Sequence, residues 1–197
     1  KQPNFTSPPV IIIPGLGSSD LSTFGLRRYF SGIGLPVYKG GFGRNNGDLP
    51  RLIRAATQQL QDVYEHHKQP VFLIGWSLGG IIARELARQL PDLVFAVCCL
   101  GSPIVGGGRY SAYAPIYERQ GYDLEKMEKV CNRREAVPIS VPSLSIYTKN
   151  DGIVYWRASI DKFNDHTQNT EVDCRHFSLG FSVEVCQIIV TWLRSVQ

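Results

Sequence analysis

Residues 75 to 79 read Gly75-Trp76-Ser77-Leu78-Gly79 and follow the apolar run Val71-Phe72-Leu73-Ile74. A Gly-x-Ser-x-Gly pentapeptide between a strand and a helix is suited to nucleophilic chemistry. A serine that attacks substrate must stand clear of the backbone on a sharp turn. Such a turn strains the serine dihedral angles and brings neighbouring chain close, which excludes Cβ atoms two residues away on either side. The helix that follows aims backbone N–H groups at negative charge developing beside Ser77. The pentapeptide alone also fits an ordinary Gly-rich turn opening a helix, so its setting must decide. The run at 71–74 is enough for a strand buried on both faces. Beyond the turn, Ile81, Ile82, Leu86 and Leu90 recur at roughly helical spacing, with Arg84, Glu85 and Arg88 between them.

A serine hydroxyl is a poor nucleophile at neutral pH and needs a base. Of the four histidines, His66 and His67 close a predicted helix ahead of the serine strand. They decorate a C-terminus, where the helix dipole favours positive charge. His166 lies in the polar loop Asn164 to Asn169, before the last predicted strand and so on the wrong edge of a sheet. His176 follows that strand and precedes the closing helix, which makes it the expected base. The imidazole needs an acid to hold its tautomer. Asp151, in the turn Asn150-Asp151-Gly152 after the fifth predicted strand, is the expected one, although Asn-Asp-Gly is also good turn chemistry in itself. Its rivals Asp161, Asp165 and Asp173 are expected in a helix, in the wrong-edge loop and in or beside a strand. The expected oxyanion donors are the backbone N–H groups of Leu78 and Leu16. Gly15 and Gly17, in Pro14-Gly15-Leu16-Gly17, let that backbone face substrate closely.

The elements that must position these groups read as follows. Val10 to Ile13 is a short β-branched strand ended by Pro14-Gly15, and Ser18, Ser19 and Asp20 offer caps for a helix to about Phe30. A weaker strand starts at Leu35, a Gly/Asn loop runs from Gly40 to Gly47, and Asp48 caps a helix to about His66 with Pro50 in its first turn. After the Ser77 turn and its helix come a strand at Leu93–Leu100, a fifth at Leu144–Tyr147, a short helix at Tyr155–Phe163 and a weak strand at Thr170–Val172. An amphipathic helix at Phe181–Val196 closes the chain. Strand and helix alternate, which predicts a mostly parallel α/β sheet covered on both faces, with chemistry at the carboxyl ends of the strands. The segment at about 104–142, with Tyr110, Tyr113, Tyr117 and a predicted short helix near Leu124–Val130, is a long excursion and reads as a lid-like insertion.

At 197 residues and 43% hydrophobic, the whole of 1–197 is expected to be one domain that needs no disulfide help for its core. The net charge is +4 without any Lys/Arg run, which points away from nucleic acid. The apolar stretches are too short to cross a bilayer, and no signal-peptide pattern is present. The expectation is a soluble protein, cytoplasmic, or secreted if an N-terminal segment has been removed. Asn4-Phe5-Thr6 is a formal glycosylation sequon. The five cysteines are scattered: Cys98 and Cys99 read as buried hydrophobes, and Cys131 with Cys174 is the one pairing considered for an oxidising compartment. No metal or cofactor is expected, because neither a ligand cluster nor a phosphate-loop ending is present. Nothing in the chain demands an oligomer, and a monomer fits.

The pieces together resemble the α/β-hydrolase superfamily, in its lipase/esterase branch. The resemblance runs over nearly the whole chain. It rests on Ile-Pro-Gly-Leu-Gly at 13–17, Gly-Trp-Ser-Leu-Gly-Gly at 75–80, Leu-Gly-Ser-Pro at 100–103, Asn-Asp-Gly-Ile-Val at 150–154 and the His176 loop. The order Ser77, Asp151, His176 is that of this fold and not of other serine hydrolases. Gly-x-Gly-Arg-Asn at 41–45, Trp-Arg-Ala-Ser at 156–159 and His-x-x-Leu-Gly at 176–180 are similar to small bacterial esterase-like members. Two departures stand out. The first strand here corresponds to the family's third, so about six strands are expected, and Pro14 stands where many relatives have His. The resemblance implies hydrolysis of a small-molecule acyl ester of short to medium chain through an acyl-enzyme. A thioesterase or acyltransferase with the same triad, and a non-catalytic binding module, are the alternatives. Leu16, Trp76, Ile104, Val105, Tyr110, Tyr113, Ile153, Val154 and Trp156 are candidates to line an apolar acyl pocket, each equally suited to ordinary core or lid packing.

Overall fold

The computed structural model describes residues 7–197, so the sequon at Asn4 lies outside the described residues. Six strands form one sheet: β1 (Val10–Ile13), β2 (Val37–Lys39), β3 (Val71–Trp76), β4 (Val94–Leu100), β5 (Ser143–Tyr147) and β6 (Thr167–Glu171). All are parallel, in the order β2-β1-β3-β4-β5-β6. The helices are α1 (Phe24–Gly32), α2 (Leu49–His67), α3 (Leu78–Gln89), α4 (Ala114–Arg119), α5 (Leu124–Glu135) and α6 (Val183–Ser195). None is long and apolar enough to cross a membrane.

The central strands are apolar at every position because both sheet faces are covered, and side chains alternate between them. Val10, Ile12, Phe72, Ile74 and Trp76 pack with Leu26 and Phe30 of α1 and with Ile189 and Trp192 of α6. Ile11, Ile13, Leu73 and Val97 face the other way, onto Leu52 and Leu60 of α2 and Ile82 and Leu86 of α3. The helix after β1 therefore lies on one face and the helix after β3 on the other. A crevice opens where they part, at the carboxyl ends of β1 and β3. The pairing of Ile13 with Gly75 sets those two ends level.

Local chemistry explains the borders. Asp48 accepts a hydrogen bond from Arg51 N at 3.2 Å, Pro50 sits in the first turn of α2, and Lys68 ends that helix at φ 53°. Ser182 caps α6 through Val185 N. Several expectations need correction. The predicted helix at 155–163 is only a tight turn at Trp156–Ser159. β6 starts earlier than predicted because it is a half-exposed edge strand, and its polar residues carry no apolar pattern. Helix α4 was not anticipated. Cys131 and Cys174 are both free thiols, on the insertion and on the loop after β6 respectively.

Candidate active site

Ser77 occupies the turn between β3 and α3 at φ 54°, ψ −122°, a region that side chains other than glycine rarely adopt. Backbone bonds on both sides hold it there: Ser77 N donates to Leu100 O at 2.8 Å and Gly80 N donates to Ser77 O at 3.0 Å. A Cβ on Gly75 would lie 2.4 Å from Gly79 O and from Gly80 N, and one on Gly79 would lie 2.2 Å from Ile13 O. These obstacles are backbone, so no rotamer change relieves them. The turn after β1 meets the same point, since a Cβ on Gly15 would come within 3.1 Å of Ser77 Cβ. Among the described residues, the N–H groups of Leu16 and Leu78 donate to no protein acceptor.

His176 and Asp151 come together from the loops after β6 and β5. His176 Nδ1 lies 2.7 Å from Asp151 Oδ2, and both side chains are buried. The other carboxylate oxygen, Oδ1, accepts from Ile153 N at 3.0 Å and Val154 N at 2.5 Å. His176 N donates to Asp151 O at 3.2 Å, and the Thr148 hydroxyl Oγ1 donates to Cys174 O at 2.6 Å, so one backbone bond and one side-chain bond tie the acid turn to the base loop. The Trp76 ring, from the residue that precedes Ser77, packs beside His176 with centroids 6.2 Å apart. Ser77 Oγ makes no hydrogen bond to His176 or to any other described residue. Such bonds often tighten only when substrate binds.

The rival residues lie elsewhere. His166 is exposed just before β6, at the opposite edge of the sheet. His67 pairs with Tyr38 Oη at 2.7 Å, and burial, with its neighbour His66, lowers its pKa. Asp173 accepts from Asn150 Nδ2 at 3.0 Å, and Asp165 is exposed. Asp161, expected in a helix, follows the 156–159 turn and is buried against Arg84 instead.

A cavity of about 200 Å³ opens beside Ser77 under α4 and α5. Leu16, Tyr113, Ile153 and Val154 line it, as does Leu78. Trp76, Ile104, Val105, Tyr110 and Trp156 do not, and each has a physical reason. Trp76 follows the strand alternation into the core on the α1/α6 face, and Ile104 is buried in the opposite core. Val105 is buried in the backbone that pairs with Ala158. Tyr110 and Trp156 border a separate groove on the far side of the Asp151 turn, where Trp156 stacks on Tyr147 at 5.8 Å.

Four contributors escaped the sequence reading. Tyr117, Met127 and Cys131 form the far wall of the cavity. Burial pushes the Cys131 thiol and the Tyr117 phenol above their ordinary pKa values, so both are uncharged at neutral pH. The fourth is Asn45. It is fully buried, donates through Nδ2 to Pro14 O at 3.0 Å and accepts Gly17 N on its backbone carbonyl at 2.7 Å, which braces the Leu16 turn. In a Gly/Asn loop, an Asn signals only a turn. Gly101 has a further part: at φ 54°, its missing Cβ would fall 3.0 Å from both Asp151 Oδ2 and His176 Nδ1. Among the described residues, no group of His, Cys, Asp and Glu is arranged to hold a metal ion.

Comparison with known proteins agrees with the topology. Residues 10–168 match the family described as Alpha/beta hydrolase family. The mature lipase BlEst2 of Bacillus licheniformis superimposes with a TM-score of 0.74 at 14% identity, over 100% of this chain and 95% of that one. The monoacylglycerol lipase of Paleococcus ferrophilus gives 0.66 at 17% identity, over 97% of each chain. The carboxylesterase CesB of Bacillus subtilis gives 0.69 at 13% identity, over 98% of this chain and 85% of that one. At such identities the likeness is one of fold. No curated protein matches the chain by sequence. With the family match over most of its length, the chain belongs to the alpha/beta hydrolase family.

Proposed function

We propose that this chain is a serine carboxylic ester hydrolase that works through an acyl-enzyme. One observation carries the reading: Asp151 and His176 form a buried pair at 2.7 Å, and the His176 ring packs against Trp76, the residue before a serine held at φ 54°. Strain of that kind costs of order 1–3 kcal/mol, and folding retains it only where the surroundings impose it. In the proposed reaction His176 Nε2 takes the Ser77 Oγ proton as Oγ attacks the ester carbonyl carbon. Asp151 stays ionised and accepts the Nδ1 proton in a hydrogen bond, which keeps Nε2 free as the base. The carbonyl oxygen becomes an oxyanion held by Leu16 N–H and Leu78 N–H, each of which contributes about 3–4 kcal/mol to the transition state. Collapse breaks the ester C–O bond, and His176 returns the proton to the leaving alcohol. Water then repeats the sequence on the acyl-enzyme.

The apolar cavity favours an acyl chain over a charged group, and the structural neighbours that are lipases and a carboxylesterase support an ester substrate. The test is turnover of p-nitrophenyl esters from acetate to palmitate, together with labelling by a fluorophosphonate. Wild type is expected to hydrolyse the short- and medium-chain esters of the series and to be labelled, Ser77→Ala to do neither, and His166→Ala to keep most activity. Equal rates in wild type and Ser77→Ala would sink the mechanism.

A further inference from the structure

Among the described residues the largest fully buried side chain is a charged one, Arg84, and the proposed mechanism makes no use of it. Arg84 lies on α3, the helix that starts one residue after Ser77. Its Nε donates to Glu135 Oε2 at 2.8 Å and its Nη1 donates to Asp161 Oδ2 at 2.8 Å. Glu135 is the last residue of α5, is buried, and also accepts from Arg88 Nη2 at 2.9 Å. Asp161 Oδ2 takes further bonds from Asn164 Nδ2 at 2.8 Å and Thr167 Oγ1 at 2.7 Å, and Asn164 Oδ1 accepts Ile139 N at 3.0 Å. The clamp therefore joins the nucleophile's helix, the end of the insertion and the connection into β6.

The same helix α5 presents Met127, Cys131 and Arg134 to the cavity. Arg134 is matched by Glu85 and Glu135 at 3.8 and 3.4 Å, so this wall carries no free charge. The insertion is close-packed within itself. Gly106 N donates to Asn132 Oδ1 at 2.8 Å and Tyr110 Oη to Glu128 Oε1 at 2.8 Å. A Cβ on Gly107 would come 2.5 Å from Cys131 Sγ. Swinging α5 outward would strip Glu135 from two arginines and leave a buried guanidinium with one of its carboxylates gone. Buried charges tolerate that poorly.

We propose that the β4–β5 insertion is a fixed wall and not a moving lid, clamped by the Arg84–Glu135 pair, and that Glu135 is a positioning residue that sets the length of acyl chain accepted. The selectivity part rests on the ester-hydrolase reading above. A cavity of about 200 Å³ holds on the order of ten water-sized groups, the scale of a short- to medium-chain acyl group. The wall's distance from Ser77 is then a property of one helix and one ion-paired cluster.

The test pairs kinetics with hydrogen exchange, using wild type, Glu135→Gln and Glu135→Asp. In Glu135→Gln the octanoate ester is expected to lose about tenfold in kcat/KM, carried by KM, while the acetate ester stays within about twofold. Glu135→Asp, which keeps the charge, should recover part of the loss. Equal losses on acetate and octanoate would make Glu135 merely structural and overturn the proposal. Amide exchange in α5 is expected to be as slow as in α3 in wild type, and about tenfold faster in Glu135→Gln with α6 unchanged. Exchange in α5 that is fast already in wild type, or unmoved by the substitution, would overturn the clamp. If wild type cleaves no ester, the ester reading fails and this exchange comparison alone decides the clamp. If Glu135→Gln does not fold, Glu135→Asp answers the same questions with smaller shifts in the same direction.

Discussion

Replacing Asp151 by Asn separates a catalytic acid from a well-placed turn residue. The two carboxylate oxygens have different surroundings. Oδ1 accepts two backbone donors, Ile153 N at 3.0 Å and Val154 N at 2.5 Å, whereas Oδ2 faces His176 Nδ1 at 2.7 Å. An asparagine has one oxygen and one NH2. Placing the NH2 toward Ile153 and Val154 would set donor against donor twice, and each buried unsatisfied donor costs about 1–3 kcal/mol. The oxygen therefore stays on the backbone side and the NH2 faces His176. Nδ1 must then accept, the ring proton moves to Nε2, and Nε2 no longer takes the Ser77 proton. A wrong tautomer of this kind lowers kcat by roughly 10⁴, or about 5 kcal/mol of transition-state stabilisation. Folding suffers far less, because volume and the backbone bonds are kept, and a loss of about 1–3 kcal/mol is expected for the charge-assisted bond. The assay is kcat on p-nitrophenyl butyrate at saturation, with thermal unfolding alongside. Asp173→Asn, which touches Asn150 and not His176, serves as the control and should stay within about threefold. An Asp151→Asn enzyme within tenfold of wild type would refute the tautomer argument and the assignment of the acid.

Three further outcomes follow from the same geometry. Ser77→Gly removes a side chain from φ 54° and should raise Tm by about 2–4 °C while abolishing turnover, since relief of roughly 1 kcal/mol is expected for a chain of this length; a lower Tm would deny the strain. Gly101→Ala, at φ 54° with its Cβ 3.0 Å from Asp151 Oδ2 and His176 Nδ1, should push the pair apart and reduce kcat by at least about tenfold, and unchanged kcat would show that the pair has room to spare. Burial works against ionisation of Asp161, but Arg84, Asn164 and Thr167 outweigh it and hold the carboxyl below its ordinary value. A depressed folded-state pKa contributes stability above the unfolded value of about 4, lost as pH falls through the folded one. Tm of wild type should therefore drop more steeply below about pH 4 than that of Asp161→Asn, and parallel curves would count against the pairing.

The parts of the site visible in the sequence are those where backbone sterics dictate residue type. Gly75 and Gly79 had to be glycine because main-chain atoms occupy their Cβ positions. Asp151 and His176 could be nominated because the ends of parallel strands share one edge of the sheet, so position along the chain stands in for position in space. The errors have a common source. Trp76, Ile104 and Trp156 looked like pocket residues by type and nearness to the motifs, but the face on which a side chain emerges depends on strand alternation and on what the neighbouring layer offers. In the sequence Arg84 is only one of the charged residues between the apolar helix positions. Its partners lie 51 and 77 residues away, and no local pattern marks a contact at that range.

Local sterics and periodicity, which act over a few residues, were enough to determine the strand–helix alternation, the strained serine turn and the candidate acid and base. Packing alone decided the rest: the 2.7 Å contact between Asp151 and His176, the buried brace at Asn45, the wall of Met127 and Cys131, and the charge cluster that holds it. Each of these depends on distances between segments far apart in the chain, and those distances exist only once the sheet has set its strands side by side.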